Sequence, residues 1–283
     1  MQPVRTEHVR FLQSATASRW VLGLVLVVAA GLVGCGDDTA SHDEALFAPS
    51  DRPTAPAPAE RDSALALLGR MQRTAFDSAF AHLDRYGFVR VMRTEQQDPS
   101  GGVTAWRTRT LRYSPDGTAP AVTRSDSTGT VSSSLLAPFT SSGPEPRPPN
   151  VATYAFPDDP AYLSERMRAA FHYVLSSPTS VDGQAARVVE IHPKDTPDGR
   201  DQVIRYARLT IARGTNELLA AHTVRSERVL LFAEESAFVL RLQRSPDRQA
   251  WVPAATRFQA RVDVPLRAPR RFQTESTYSD YVR

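Results

Sequence analysis

Cysteine is almost absent from this sequence, since Cys35 is the only one in 283 residues. A single thiol excludes an internal disulfide and any zinc site built from several cysteines. Catalytic signatures are missing as well, because the chain contains no Gly-x-Ser-x-Gly elbow, no phosphate-binding loop and no His-Glu-x-x-His. We therefore expect a protein that is not an enzyme and that carries no cofactor and no metal ion.

The sequence also lacks an excess of charge of one sign. Lys194 is the only lysine, and 34 basic residues face 31 acidic ones, for a net charge of +3. Residues 1–34 hold three arginines and one glutamate, so they contribute +2 and leave +1 for the rest. No dense run of arginines occurs along the chain. The sequence therefore predicts no binding of nucleic acid.

One apolar run of 14 residues, 20–33, contains no charged or strongly polar side chain. As a helix it would extend about 21 Å at ~1.5 Å per residue, which falls short of the ~30 Å hydrocarbon core of a bilayer. Arg5, Arg10 and Arg19 precede the run, and small residues end it. This pattern is typical of a secretion signal, so we predict that 1–34 is a signal peptide.

The end of this run, Leu32-Val33-Gly34-Cys35, resembles the lipoprotein box of bacterial lipoproteins. The resemblance implies cleavage between Gly34 and Cys35, a diacylglycerol (palmitate-type) anchor on the Cys35 thiol and a third acyl chain on the new amino terminus. Two or three acyl chains hold a protein firmly on a membrane. Gly36 follows the cysteine where enteric lipoproteins retained in the inner membrane carry Asp, so we expect the periplasmic face of the outer membrane. The alternative is an uncleaved anchor with an incidental cysteine.

The segment after the cysteine has a different composition from the rest of the chain. Residues 35–61 are polar and rich in alanine and proline, which predicts a flexible tether between the lipid and the folded part. Apolar residues then recur at three- and four-residue steps over 62–86, as expected for an amphipathic helix. A second, shorter helix is predicted over 158–175, where acidic residues and Pro160 suit a helix start.

The remainder of the chain alternates short runs rich in Val, Thr, Tyr and Leu with turns rich in Gly, Pro and Asp. The spacing of about ten residues predicts an antiparallel meander. The predicted strands cover 88–97, 103–114, 119–126, 130–135, 185–193, 202–213, 217–227, 228–234, 236–244, 251–264 and 271–282. We predict a mainly β (α+β) fold over 62–283. It is a strongly curved antiparallel sheet, or incomplete β-barrel, of about ten strands with two covering helices and a Pro/Ser-rich loop at 136–157.

A stretch in the second half of the chain resembles a recurring pattern of the LolA/LolB-like superfamily. The residues that carry it are Val181-Asp-Gly-Gln184, the run 188–194, a strand at 203–211, a turn at 213–216 and Leu218-Leu219. The resemblance implies an incomplete barrel capped by helices, whose concave interior holds an acyl chain or a hydrophobic peptide. Members of that superfamily carry lipoproteins through the periplasm, receive them at the outer membrane or sense envelope stress.

Apolar and aromatic residues of the predicted strands are candidates to line such a cavity, although core packing is the usual role of such side chains. The candidates are Trp106, Leu111, Tyr113, Leu209, Ile211, Leu231 and Phe232. In the strand 103–114, Leu111 and Tyr113 share one parity and Trp106 has the other, which leaves open which face is inner.

Three functions are compatible with these patterns. The first is a membrane-anchored binding module that shelters an acyl chain, a lipid or a lipoprotein segment in a cavity of roughly several hundred Å³. The second is a non-catalytic structural or interaction lipoprotein with a filled core, which uses a sheet edge or the 136–157 loop to bind partners. The third, an enzyme, would need His192 or His222 in a cleft beside a carboxylate. We favour the first.

Overall fold

Ten β-strands form one antiparallel sheet in the computed structural model, which describes residues 55–131, 147–148, 150–229, 232–263 and 269–283. The strands are β1 (Gly87–Gln97), β2 (Val103–Tyr113), β3 (Ala121–Thr128), β4 (Phe171–Val181), β5 (Gln184–Pro193), β6 (Ile204–Ala212), β7 (Leu218–Val229), β8 (Phe232–Arg244), β9 (Trp251–Asp263) and β10 (Arg270–Val282). The order across the sheet is β3-β2-β1-β10-β9-β8-β7-β6-β5-β4. Since β3 and β4 lie at opposite edges, the sheet is open, which confirms the predicted fold class.

Most strands follow the predicted runs because turn residues separate them. Asp182 and Gly183, with φ angles of 49° and 74°, connect β4 to β5. Two positive φ angles define the tight turn that matches the twist of a hairpin. Two predicted runs, 217–227 and 228–234, were divided at the wrong place, because β7 continues to Val229 and β8 begins at Phe232. The predicted run 130–135 lies mostly outside the described residues.

The first predicted helix, 62–86, is divided into three short segments. They are α1 (Pro58–Leu68), α2 (Thr74–Ser78) and a 3-10 turn (Ala81–Arg85). The break falls at Gln72, whose backbone carbonyl accepts a hydrogen bond from Leu218 N and whose N–H donates to Asn216 O. A residue that pairs with the start of a strand cannot keep its helical hydrogen bonds. The helix also begins at Pro58, within the predicted tether.

The second predicted helix, 158–175, is wrong for most of its length. The described chain has a short α3 (Ala152–Ala155), two 3-10 turns (Ala161–Leu163 and Arg168–Ala170) and then β4. The end of this segment is a strand and not a helix, because the alternate residues Phe171 and Tyr173 are fully buried and β4 pairs with β5 along its length. Among the described residues, no helix has the length and apolar character needed to cross a bilayer.

The helical segments pack on one side of the sheet, which we call the inner face; the other side is the outer face. Phe76 and Leu83 from the helical layer join Ile191 and Leu209 of the sheet in one large core. Charged pairs occupy the outer face: Arg257 Nε lies 2.7 Å from Glu275 Oε1, across the β9–β10 pair. The contrast between the two faces follows the alternation of side chains along each strand.

Candidate ligand-binding site

The inner face changes character from one side of the sheet to the other. One row of directly paired residues crosses nine strands: Arg107, Thr94, Thr274, Phe258, Phe238, Thr223, Ala207, Ile191 and Tyr173. The row begins with polar and basic side chains on β2, β1 and β10 and continues with mainly apolar ones from β9 to β4. The helical layer covers the apolar side, where Thr223 Oγ1 donates to Ala155 O at 2.6 Å.

Four of the predicted cavity residues lie in the packed core. Leu209 and Ile211 are fully buried, while Leu111 and Tyr113 keep 7% and 5% of their surface exposed. The Tyr113 ring stacks on Phe88 with 4.4 Å between centroids, so its partner is another side chain of the protein. The structure therefore brings these four residues into one cluster on the inner face. Whether they contact a ligand stays a prediction.

The other three predicted cavity residues comprise one on the outer face and two whose side chains lie outside the described part of the structure. Trp106 lies on the outer face of β2, where the Arg93 guanidinium stands 5.1 Å from the centroid of its ring. Leu231 lies outside the described residues. Phe232 begins β8, but its side chain is outside the described part of the structure. Gly34 and Cys35, with the whole of 1–54, also lie outside the described residues.

A second set of buried apolar residues lies on the inner face beyond the main core. We call Met92, Ala105, Ala260 and Phe272 the distal patch. Their exposed fractions range from 1% to 6%, and none of them belongs to either of the two packed apolar clusters among the described residues. Phe272 pairs directly with Ala260. The distal patch is thus a buried group of apolar side chains separate from the core that the helices cover.

Three arginines adjoin the distal patch, and we call Arg90, Arg107 and Arg109 the basic cluster. Arg90 is only 3% exposed. Its Nε and Nη2 donate to Ser276 Oγ at 3.1 and 3.0 Å, and its guanidinium lies 5.6 Å from the centroid of the Tyr278 ring. Both partners are neutral groups, so the positive charge of Arg90 is not cancelled by either of them.

The electrostatics of the basic cluster reflect crowding of like charges. Burial lowers the pKa of Arg109 below its ordinary value, and the positive charges of Arg107 and Arg90 lower it further. Arg107 Nε and Nη2 are buried and have no hydrogen-bond partner among the described residues. Burial also raises the pKa of Tyr113 beside them, which keeps that phenol neutral. The cluster is consequently a site of positive potential inside the half-barrel.

Sequence reasoning did not identify this basic cluster. The three arginines occur at positions that are not adjacent in the chain, and pairing of β1 with β2 brings them together, with Arg109 directly opposite Met92. A signal was present, because Arg107 and Arg109 share the parity of Leu111 and Tyr113, which are core residues. Arg90 likewise shares the parity of Phe88 and Met92.

One small cavity lined by described residues lies between the core and the basic cluster. Arg90, Val151, Phe238, Thr256, Phe258, Thr274, Ser276 and Tyr278 line a cavity of about 10 Å³. Such a volume has room for about one water molecule. A groove of about 570 Å³ lies on the outer side, between the β4–β5 hairpin tip and strands β5 to β8. Its lining mixes apolar residues such as Val188 and Val239 with Arg208, His222 and Arg241.

The histidines named as possible catalytic residues lie on the outer face. The rings of His192 and His222 flank Tyr206 at centroid distances of 5.0 and 5.2 Å. Burial lowers the pKa of His192, against the opposite effect of the Glu190 carboxylate, whose Oε2 is 3.8 Å from His192 Nε2. Within the described ranges, no three His, Cys, Asp or Glu side chains are grouped as metal ligands would be.

The chain has the open antiparallel sheet, with short helices on its inner face, that the sequence predicted. Structural neighbours include a DUF1329 family protein from Desulfovibrio piger (14% identity, TM-score 0.27). A putative outer membrane lipoprotein-sorting protein domain from Vibrio parahaemolyticus (12%, 0.27) and a LolA superfamily protein from Nitrosomonas europaea (12%, 0.22) are also similar.

Each comparison covers 78% of this chain and 92% of the neighbour. No protein-family model matches the sequence, and no curated protein matches it.

Proposed function

We propose that this protein is a lipid-anchored, non-catalytic binding protein of the cell envelope. Its half-barrel holds a hydrophobic ligand, such as an acyl chain, a lipid or a segment of a lipoprotein, against the inner face. The observation that carries the proposal is the distal patch, which presents Met92, Ala260 and Phe272 on the inner face outside the packed core.

The N-terminal sequence supports the location. The run 20–33 and the cysteine at its end have the pattern of a lipoprotein signal. An acylated Cys35 followed by the predicted tether would keep the half-barrel close to a bilayer, which is a source of hydrophobic ligands. Gly36 after the cysteine favours the outer membrane under the enteric sorting rule.

Access to the distal patch requires movement, because its residues are almost completely buried. An open sheet allows such movement more readily than a closed barrel, since the edge strands β3 and β4 are each paired on one side only. An apolar ligand that replaced the contacts of Phe272 and Ala260 would keep this surface away from water. Each methylene buried in this way contributes about 0.8 kcal/mol.

Two tryptophan substitutions test the location of the ligand. Ala260→Trp adds a large side chain to the distal patch, and Ala220→Trp adds the same side chain to the outer groove. Full-length protein is purified from membranes, and the bound lipid is extracted and quantified by mass spectrometry. Uptake of a dansyl-labelled fatty acid is measured in parallel.

We expect Ala260→Trp to weaken fatty-acid uptake roughly tenfold, because contact with about two methylenes would be lost. Ala220→Trp should leave uptake unchanged. The reverse result would place the ligand in the outer groove. Each variant must retain a cooperative thermal transition, so that loss of binding is not loss of folding.

A structural or interaction lipoprotein is a second candidate, and a specific observation favours it. The cavity between Arg90 and Phe238 measures only about 10 Å³, as expected for a filled interior. This candidate requires parent protein that carries no extractable lipid and takes up no labelled fatty acid. Crosslinking in cells should then recover a protein partner, and the deletion of 136–157 should abolish it.

A further inference from the structure

The charge on Arg90 is buried without a compensating carboxylate among the described residues. Only 3% of the residue is exposed, and its guanidinium contacts the Ser276 hydroxyl and the Tyr278 ring. A buried charge is costly unless it is paired with an opposite charge. The fold therefore keeps a positive group where a second, negative group would stabilise it.

Arg107 is a second arginine of the inner face with buried hydrogen-bond donors. Its Nε and Nη2 atoms are inaccessible to water and lack hydrogen-bond acceptors within the described parts of the chain. Its cross-strand neighbour is Thr94, and Thr94 pairs in turn with Thr274. The Thr274 hydroxyl donates to the Thr94 hydroxyl at 3.4 Å, which leaves the Thr94 hydroxyl able to donate to another acceptor. The Arg107 guanidinium and the Thr94 hydroxyl thus offer donors on the same part of the inner face.

Arg109, the third arginine of the basic cluster, is also positively charged, which favours the binding of an anion there. Burial lowers the pKa of Arg109, and the positive charges of Arg107 and Arg90 lower it further. Arg93 on the same strand differs, because it faces the outer side and is paired with Glu95. Arg93 is thus compensated by a carboxylate, whereas no carboxylate in the described parts of the chain is paired with Arg90 or Arg107.

We propose that Arg90 and Arg107, with the hydroxyls of Thr94 and Ser276, bind the carboxylate or phosphate group of an amphiphilic ligand. The apolar part of that ligand lies on the distal patch. This inference rests on the proposed function and adds the charge and chemistry of the headgroup.

Guanidinium groups suit this role because their planar fork matches two oxygens of a carboxylate or phosphate. The hydroxyls add donors without adding charge. The cluster borders the distal patch directly, since Met92 is paired with both Arg109 and Ser276. One ligand can therefore contact charged and apolar surfaces at once, as an amphiphile requires.

Ligands with one chain length and different headgroups test the proposal. Lauric acid and dodecyl phosphate carry an anionic group, dodecanol carries a neutral one, and inorganic phosphate has no chain. Binding of each to full-length parent protein is measured by displacement of a dansyl-labelled fatty acid and by the shift in melting temperature. We expect both anionic amphiphiles to bind at least roughly tenfold more tightly than dodecanol, because a hydrogen bond to a charged group is lost in the neutral ligand.

The remaining outcomes separate the possible failures. Equal binding of dodecanol and lauric acid would overturn the anion site and leave the proposed function intact. No binding by any of the four compounds would overturn both. A shift in melting temperature with inorganic phosphate as large as that with dodecyl phosphate would assign the site to a free anion. That result would overturn the proposal that the ligand is an amphiphile.

Two substitutions on one strand provide the matched control. Arg107→Gln removes a charge from the inner face of β2, and Arg112→Gln removes one from its exposed outer face. We expect Arg107→Gln to weaken the binding of lauric acid and of dodecyl phosphate by roughly tenfold and to leave the binding of dodecanol unchanged. Arg112→Gln should match the parent with every compound. Equal losses in the two variants would contradict the site and indicate a general effect of net charge.

Discussion

Arg73 places its guanidinium 4.4 Å from the centroid of the Phe156 ring. The same side chain donates from Nη1 to the carbonyl oxygens of Pro157 and Asp158, both at 2.9 Å. It also forms an ion pair with Asp77 in α2. One arginine therefore holds residues 156–158, at the end of the Pro/Ser-rich loop, against the first helical segments, although the two are distant in the sequence.

Replacing Arg73 by Ala should lower the free energy of unfolding by about 2 kcal/mol, since a cation–π contact and hydrogen bonds to two carbonyls are lost. The measurement is urea denaturation followed by far-ultraviolet circular dichroism. Arg70→Ala is the matched control, because Arg70 is exposed and lies three residues away. Equal stability of the two variants would contradict the role of Arg73.

A buried hydroxyl connects the sheet to α3. Thr223 is fully buried, and its Oγ1 donates to Ala155 O at 2.6 Å. Thr223→Val keeps the shape of the side chain and leaves that carbonyl without its donor, so we expect a loss of about 1 to 2 kcal/mol. Thr108→Val on the outer face should cost less than about 0.5 kcal/mol. A smaller effect at Thr223 than at Thr108 would be inconsistent with this hydrogen bond.

The stability of the fold should fall as the solution becomes mildly acidic. Burial lowers the pKa of His192 below 6.5, and burial also lowers that of His172, its partner across β4 and β5. A base with a lowered folded pKa binds its proton more readily in the unfolded chain. Its contribution is therefore complete above pH 6.5 and is lost as the pH falls below that value.

The test compares urea midpoints at pH 8 and pH 5.5 for the parent and for His192→Gln. We expect the parent to lose more stability than the variant over this interval, since Gln does not titrate. Nuclear magnetic resonance titration of the imidazole gives the pKa directly. A measured pKa of His192 at or above 6.5 would refute the assignment.

Membrane attachment should depend on a single thiol. Cys35→Ser removes the only cysteine in the chain, and we expect it to abolish labelling with radioactive palmitate and to release the protein from the membrane fraction. Ser41→Ala, six residues further on, is a control that should keep both properties. Retention of label and of membrane binding in Cys35→Ser would disprove the lipoprotein assignment.

Much of the sheet could be predicted from the sequence, because hairpin turns and alternating strands are local patterns. Asp182-Gly183 adopts the positive φ angles that such a turn requires. Strand β10 begins within one residue of its prediction. These features depend on residues close together in the chain, so no knowledge of distant partners was needed.

The helices were harder to predict because their ends depend on distant partners. An apolar repeat continued through Gln72, but the backbone of that residue pairs with Asn216 and Leu218. The segment 171–175 had a helix-like pattern, yet Tyr173 pairs with Ile191 as a strand residue. In both places tertiary hydrogen bonds decided the structure over local preference.

The amino-acid sequence by itself determined the rhythm of strands and turns, the near balance of charge and the lipoprotein-like N-terminal pattern. The tertiary structure decided which face of each strand is inner, because alternation marks two faces without saying which one the helices cover. It also placed Arg90 and Arg107 on the same face of the β1–β2 pair, where Arg90 lies opposite Leu111 and Arg107 lies opposite Thr94. Strand pairing is a long-range property, and a cluster that depends on it cannot be read from spacing along one strand.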